Sequence, residues 1–231
     1  MSVSVIVVAA GKGTRLKTKV SKALVKIDSV PVVIYCLKTL SRHPLVHEII
    51  VVANPFNLQG IKRSIKKYSI GKVKEVVLGG AQRNNSVSNG LKAIGPKAEI
   101  ILVHDAARPF IDKKTITEVI SEARNSGAAI VGVPVKATVK SVRCQVSGVR
   151  KKYFVTETLK RENIWEIQTP QGFKRDLLLK AYEKFGDSQV TDDSMLVEKL
   201  RVKVSVIFGS YNNIKITTPE DLVIAQAIAE K

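Results

Sequence analysis

Blocks of apolar and polar positions follow one another along the chain with a period that switches repeatedly between strand and helix. Residues 2–10 form a β-branched apolar run closed by glycine, the pattern of a strand buried on both faces. Residues 31–40 carry apolar positions at helical spacing, with proline at the start. The pair then recurs: strand at 48–53 (EIIVVA), helix at 58–68, strand at 74–78, helix at 82–94, strand at 99–104 (EIILVH), helix at 114–125 and strand at 128–135. Strands alternating with helices predict a mostly parallel sheet covered on both faces, the doubly wound α/β class.

The alternation changes character after residue 135. Residues 138–142 and 149–155 read as two strands around a turn at Ser147-Gly148. Segment 136–156 is polar and basic with few large apolar residues, which predicts a β-hairpin arm that projects from the body. Thr169-Pro170-Gln171-Gly172 reads as a turn, after which helices return at 175–184 and 192–200 and a last strand at 202–208. Thr218 caps a final helix, with Pro219 at its first position and Glu220 and Asp221 in its first turn. No linker, repeat or low-complexity tract interrupts the chain, so residues 1–231 are expected to form one domain with the arm attached.

Composition narrows the partners. A chain that is 45% hydrophobic can bury enough surface to fold. Its 38 Lys and Arg exceed its 20 Asp and Glu, a formal net charge of +18, which points to anionic ligands. Lys12, Arg15, Lys17, Lys19, Lys22 and Lys26 crowd one stretch, while Asp28 is the single acid in residues 1–47. With aromatics at 5% and no recognised binding motif, nucleic acid is not the expected partner. The apolar run at 5–10 is too short to cross a bilayer, and Cys36 and Cys144 stand too far apart for a disulfide framework or a cysteine-based zinc site. The expected setting is the cytoplasm, without a membrane partner.

In a doubly wound sheet, ligands sit beyond the carboxyl ends of the strands. The first strand ends in Ala9-Ala10-Gly11-Lys12-Gly13-Thr14-Arg15-Leu16, whose small residues let the backbone approach phosphate closely. Leu16 breaks the dinucleotide fingerprint, which disfavours an NAD-dependent oxidoreductase, and the P-loop spacing is absent. A glycine-rich loop with Arg15 and Lys22 suits a triphosphate, because fixed cations can neutralise charge that grows during phosphoryl chemistry. Asp105 closes the strand at 99–104 and is well placed to hold Mg²⁺. The adjacent His104 offers either a general base or metal ligand, or a packed and hydrogen-bonded core histidine. No Ser–His–Asp or Cys–His constellation is present. That fits a nucleophile which is itself an ionised phosphate and needs no base.

These residues carry a resemblance. Ala9-Ala10-Gly11-x-Gly13-x-Arg15 with Lys22, Gly79-Gly80-x-x-Arg83-x-x-Ser86-Val87 and His104-Asp105-Ala106-Ala107-Arg108-Pro109 resemble the cytidylyltransferases of the nucleotidyltransferase fold. So do Thr169-Pro170-Gln171, Thr191-Asp192-Asp193 and Asn213-Ile214-Lys215-Ile216-Thr217-x-Pro219-Glu220-Asp221. The resemblance spans nearly the whole chain and is strongest to the branch that acts on methylerythritol phosphate in non-mevalonate isoprenoid synthesis. It implies transfer of a cytidylyl group from CTP to a polyol phosphate, with ribitol 5-phosphate as the alternative acceptor. Arg15 and Lys22 would stabilise the transition state. Ala9, Ala10, Gly11, Gly13, Gly80, Arg83 and Ser86 would bind the nucleotide, and Asp105 would bind one Mg²⁺. Arg108, Thr138, Arg161, Thr169 and Lys215 would position the acceptor. The arm would embrace a second subunit in a homodimer, with Thr138 and Arg161 serving the neighbour's site.

Each assignment has a plainer rival. Lys215 could end a strand, Arg161 could pair with Glu157 or Glu162, and Thr169 could initiate a turn. Trp165, Tyr153 and Phe173 read as core or dimer packing, and Thr191-Asp192-Asp193 as a helix cap first and as part of the site second. The chain also departs from the family pattern: Ser21 and Ala23 flank Lys22 where proline and glutamine are usual, and Gly172 stands where an aromatic is common. A rival of another class, a non-catalytic nucleotide- or RNA-binding protein using the basic arm, has no need of Arg15, Lys22 and Asp105 together.

Overall fold

The computed structural model describes residues 2–11, 13, 16, 20–147 and 149–230. A seven-stranded sheet forms its centre, in the order β11 (Ser205–Phe208), β7 (Ala128–Pro134), β10 (Trp165–Lys174), β6 (Ile100–Asp105), β1 (Val3–Val8), β4 (Val46–Ala53) and β5 (Val73–Leu78). The alternation predicted from the apolar pattern supplies β1 (Val3–Val8), α1 (Val32–Ser41), β4 (Val46–Ala53), α2 (Leu58–Lys67), β5 (Val73–Leu78), α3 (Arg83–Ala93), β6 (Ile100–Asp105), α4 (Lys113–Ser126) and β7 (Ala128–Pro134). Between Lys22 and α1 lie a 3-10 turn at Lys22–Leu24 and a small antiparallel pair, β2 (Lys26–Ile27) with β3 (Val30–Pro31).

β1 pairs in parallel with β4 on one side and β6 on the other, so the connections diverge at the carboxyl end of β1. This divergence opens the crevice that α/β folds use for ligands. Both faces of the sheet are covered. Val5 and Val7 of β1 join Leu37 of α1, Ile61 of α2 and Val119 of α4 in one core. Ile6 joins Val87 of α3 in the other, together with Leu178 of α5 (Arg175–Phe185) and Leu196 of α6 (Ser194–Glu198). Burial on both sides is why the strands read as unbroken apolar runs.

One strand escapes the sequence pattern. Residues 165–174, expected to contain a turn at Thr169–Gly172, form β10 (Trp165–Lys174), antiparallel to both β6 and β7 near the centre of the sheet. Proline normally argues against a central strand because it cannot donate to the ladder. Here Pro170 sits at a bulge between Gln168 and Gln171, with a cis Thr169–Pro170 peptide, where the ladder is already interrupted. Gly172 has a packing reason: a Cβ there would stand 2.7 Å from Val119 Cγ1 and 3.0 Å from Leu102 Cδ2, so this core leaves no room for a side chain. Phe173 beside it is fully buried, as a core residue should be.

The later elements are shorter than expected. α6 and β11 (Ser205–Phe208) are trimmed relative to 192–200 and 202–208, whereas α7 (Pro219–Ala229) carries the expected Thr218 cap, reciprocated by Asp221. The hairpin forms a separate two-stranded sheet of β8 (Lys140–Ser147) and β9 (Arg150–Thr158), with its expected turn residue Gly148 outside the described residues. β9 is exposed along its whole length, and Tyr153 is 64% and Val155 58% exposed.

Candidate active site at the carboxyl edge of the sheet

The chain leaves β1 through Ala9 and Ala10, and asparagines at the start of α2 hold both carbonyls. Ala9 N donates to Val52 O at 2.7 Å, while Ala9 O accepts from Asn57 Nδ2 at 2.9 Å. Ala10 O accepts from Asn54 Nδ2 at 3.1 Å. Gly11 is exposed, with nothing within 4 Å of where a Cβ would lie. Gly13 has φ +67°, and a Cβ on it would come within 2.9 Å of Lys22 Cβ, so the loop and the Lys22 turn lie against each other. Arg15 lies outside the described residues, with Lys12, Thr14 and 17–19.

Asn57 reaches further. Its second amide hydrogen goes to Ser21 Oγ at 2.8 Å, and Ser21 O accepts from Leu24 N at 2.7 Å to close the turn that begins at Lys22. Ser21 has φ −54° and ψ 135°, values that a proline would share. The backbone that leads into Lys22 is therefore restrained by a fully buried amide.

On the other side of the crevice, Gly80 N donates to Ser86 Oγ at 3.2 Å, which ties the Gly79-Gly80 loop to the first turn of α3. Arg83, the first residue of α3, points its guanidinium at two carboxylates, Asp193 Oδ2 at 2.7 Å and Asp105 Oδ1 at 3.7 Å. Lys215 arrives from the segment before α7, with Nζ 2.5 Å from Asp105 Oδ2. Burial by itself would raise the Asp105 carboxyl, but Lys215 and then Arg83 outweigh it and hold the group well below the usual carboxylate range. Asp105 is therefore an anion at neutral pH. Burial by itself would lower Arg83, and Asp193 followed by Asp105 reverses that, so the guanidinium stays charged.

His104 belongs to the structure rather than to the chemistry. It is fully buried, and burial pulls its pKa down to about 4. Nε2 lies 3.0 Å from Arg108 O and Nδ1 3.1 Å from Thr169 Oγ1, while Asp105 N donates to that same Oγ1 at 3.0 Å. This network assigns the neutral Nε2–H tautomer: Nε2 donates to the carbonyl, and Nδ1 accepts from the Thr169 hydroxyl. Thr169 thus joins β10 to the end of β6 directly behind Asp105.

The remaining acceptor candidates divide. Arg108 is buried, and its guanidinium donates to Asn213 O at 2.7 Å and Ile167 O at 3.1 Å, so two of its donors already serve the main chain. Thr138 is exposed at the root of the hairpin. Arg161 is exposed on a 3-10 turn and donates to Lys136 O at 2.8 Å, not to Glu157 or Glu162. Neither Thr138 nor Arg161 is joined to the Arg83–Asp105–Lys215 cluster by a described hydrogen bond or ion pair.

Asp193 was expected first in a helix cap and only second in the site, because the pattern around it reads as a cap. Asp192 does that capping, accepting from Met195 N at 3.2 Å and from the Ser194 hydroxyl. The Asp193 side chain instead turns inward to Arg83. Asn57 carries no sequence signal at all, since an asparagine after a strand looks like any loop residue.

Among the described residues, no group of three or more His, Cys, Asp or Glu side chains could hold a metal ion by itself. Asp105 alone still fits Mg²⁺, which keeps several waters and binds through one or two carboxylates plus substrate phosphates. The carboxylate is ionised and largely buried, with the cations Lys215 and Arg83 gathered on it. No described helix is long and apolar enough to cross a membrane.

Comparison with known proteins finds matches over nearly the whole chain. Residues 3–231 match the model of the 2-C-methyl-D-erythritol 4-phosphate cytidylyltransferase family. A protein of that name from Alkaliphilus oremlandii is 44% identical over 228 residues, covering 97% of this chain and 94% of that one. The crystal structure of 4-diphosphocytidyl-2C-methyl-D-erythritol synthase from Anaerococcus prevotii superposes with a TM-score of 0.83 at 34% identity, covering 99% of this chain and 96% of that one. The corresponding enzyme from Francisella tularensis gives 0.79 at 30% identity, with 99% and 100% covered.

Proposed function

Since the chain belongs to the 2-C-methyl-D-erythritol 4-phosphate cytidylyltransferase family, we propose that its crevice joins CTP to that acceptor as follows. The protein is a nucleotidyltransferase of isoprenoid biosynthesis. An oxygen of the acceptor's phosphate attacks the α-phosphorus of CTP, a new P–O bond forms, and the bond to the β-phosphate breaks to release pyrophosphate. The acceptor phosphate arrives ionised, so no side chain has to remove a proton, in keeping with a His104 that is neutral and fully engaged. The observation that carries this reading is the meeting of Arg83, Asp105 and Lys215 at one point of the crevice from three distant parts of the chain.

Ala9, Ala10, Gly11 and Gly13 would present main-chain N–H groups to the triphosphate, and Gly80, Arg83 and Ser86 would hold the nucleoside. Arg15 and Lys22 would stabilise the charge that develops on the α-phosphate and its leaving group. Lys215 and Thr169 flank Asp105 on the acceptor side, and Arg108 would shape that pocket through the carbonyls it holds. Asp105 would hold Mg²⁺ together with the phosphates. The metal, when bound, supplies Lewis-acid neutralisation of phosphate charge.

The assembly would be a homodimer formed through the arm. An isolated two-stranded ribbon is marginal in water, and this one exposes Val142, Val146, Tyr153, Phe154 and Val155 together. Arm exchange would carry Thr138 and Arg161 of one protomer to its partner's crevice. The setting would be the cytoplasm, which supplies CTP and phosphorylated metabolites. The test is pyrophosphate release with Mg²⁺, crossing CTP, UTP, ATP and GTP against methylerythritol phosphate and ribitol 5-phosphate. Turnover confined to CTP with methylerythritol phosphate is expected, and turnover only with ribitol 5-phosphate would overturn the acceptor.

A further inference from the structure

Arg83 is gripped from behind. One carboxylate, Asp193, holds its guanidinium at 2.7 Å, while the other, Asp105, faces it at 3.7 Å. Asp193 is fully buried and itself tightly placed. The Tyr182 hydroxyl, from α5, donates to Asp193 Oδ1 at 2.5 Å. The main-chain N–H groups of Asp193 and Ser194 donate to Gln171 Oε1 at 3.1 and 3.3 Å. Gln171 is fully buried in β10, near the centre of the sheet. The sheet and α5 therefore set the position of the Asp193 carboxylate, and that carboxylate sets the position of Arg83.

The consequence is electrostatic. Asp105 already has Lys215 on one oxygen. A guanidinium in this half-enclosed site seeks a carboxylate, and without Asp193 the remaining one is Asp105. Arg83 would close the gap and compete there with Lys215 and with any metal carried by the nucleotide. We propose that Asp193 is a positioning residue for cytidylyl transfer: it holds Arg83 off Asp105 in the pose that receives CTP, and Tyr182 and Gln171 hold Asp193. The proposal rests on the function described above and on Arg83 as a nucleotide ligand.

The experiment is a double-mutant cycle read in the CTP KM. Asp193→Asn keeps the side-chain size and an acceptor for Tyr182, but it turns an amide toward Arg83 and removes the charge. Its CTP KM should rise about tenfold, the scale of a lost charge-assisted hydrogen bond. In an Arg83→Met background the same substitution should change KM by a factor of about one, because the residue through which it acts is gone. A role confined to folding would lower the active fraction, and hence kcat, and leave KM in place; that result overturns the proposal. An equal rise in KM in both backgrounds also overturns it. If Asp193→Asn does not fold, Tyr182→Phe is read in the same cycle, with a rise of about two- to threefold expected and an unchanged KM again decisive against. Absence of turnover by the unaltered protein with CTP and methylerythritol phosphate would overturn the function and this proposal together. Turnover with unmoved KM values in the variants would overturn this proposal alone.

Discussion

At the scale of the residue, Lys22 illustrates how the backbone at a candidate position is set by its neighbours. Its lead-in residue is serine, and the backbone restraint comes from φ near −54° and a hydrogen bond to Asn57. If Lys22 stabilises the transition state, Lys22→Ala should lower kcat by about 10²–10³-fold while CTP affinity changes by less than about threefold. Single-turnover kinetics beside a CTP titration would check this, and equal loss in both would remove the transition-state role. Asn57→Ala should act in two ways. It strips Ala9 O and Ser21 Oγ of a donor in a buried place, a loss of about 2 kcal/mol measurable by urea unfolding. It should also lower kcat by loosening the Lys22 turn, without touching a substrate. Lys22 stood out as a candidate in the sequence because charge and spacing are local properties. Asn57 did not, because an amide's partners are set by where α2 packs.

At the scale of the element, β10 binds the site to the body. Thr169 and Gln171 reach from it to Asp105, His104 and Asp193, while Phe173 and Gly172 anchor it in the core. Its polar run with a proline reads as a turn, since strand assignment relies on alternation and this strand buries polar side chains that hydrogen-bond inside the sheet. The β6–β10 junction makes stability depend on pH. His104 has its pKa depressed to about 4 in the folded protein, mainly by burial, against about 6.5 when unfolded. Between those values the unfolded chain binds more protons than the native one, so stability rises with pH there and is lost as pH falls from about 6.5 to about 4. The loss should approach about 3 kcal/mol. Urea unfolding from pH 4 to 7 should show this slope, and His104→Gln should flatten it. An unchanged slope in the variant would assign the acid sensitivity elsewhere.

At the scale of the whole molecule, the proposed arm exchange would decide how many chains make one site. Thr138 and Arg161 stand on its exposed root, apart from the Asp105 cluster. If they act in the partner's crevice, inactive Lys22→Ala and Arg161→Ala chains should complement after mixing and re-association. A heterodimer then holds one site with its own Lys22 and a neighbour's Arg161, and a statistical mixture should recover about a quarter of the wild-type rate. No recovery, with dimers confirmed by sedimentation, would place Arg161 in its own protomer's chemistry or outside the site.

The sequence by itself determined the alternation of buried strands and amphipathic helices, the glycine loop after β1, the acid that ends β6 and the exposed hairpin. Each of these is written in consecutive residues, because secondary structure and loop geometry respond to local periodicity and to glycine and proline. Only the tertiary structure decided that β10 enters the sheet, that His104 is a neutral strut, that Asn57 clasps Ser21, and that Asp193 grips Arg83 while Lys215 sits on Asp105. Those pairings join residues that chain order keeps far apart, and they come into being only when packed elements exclude water and leave each buried charge just the partners that the fold brings to it.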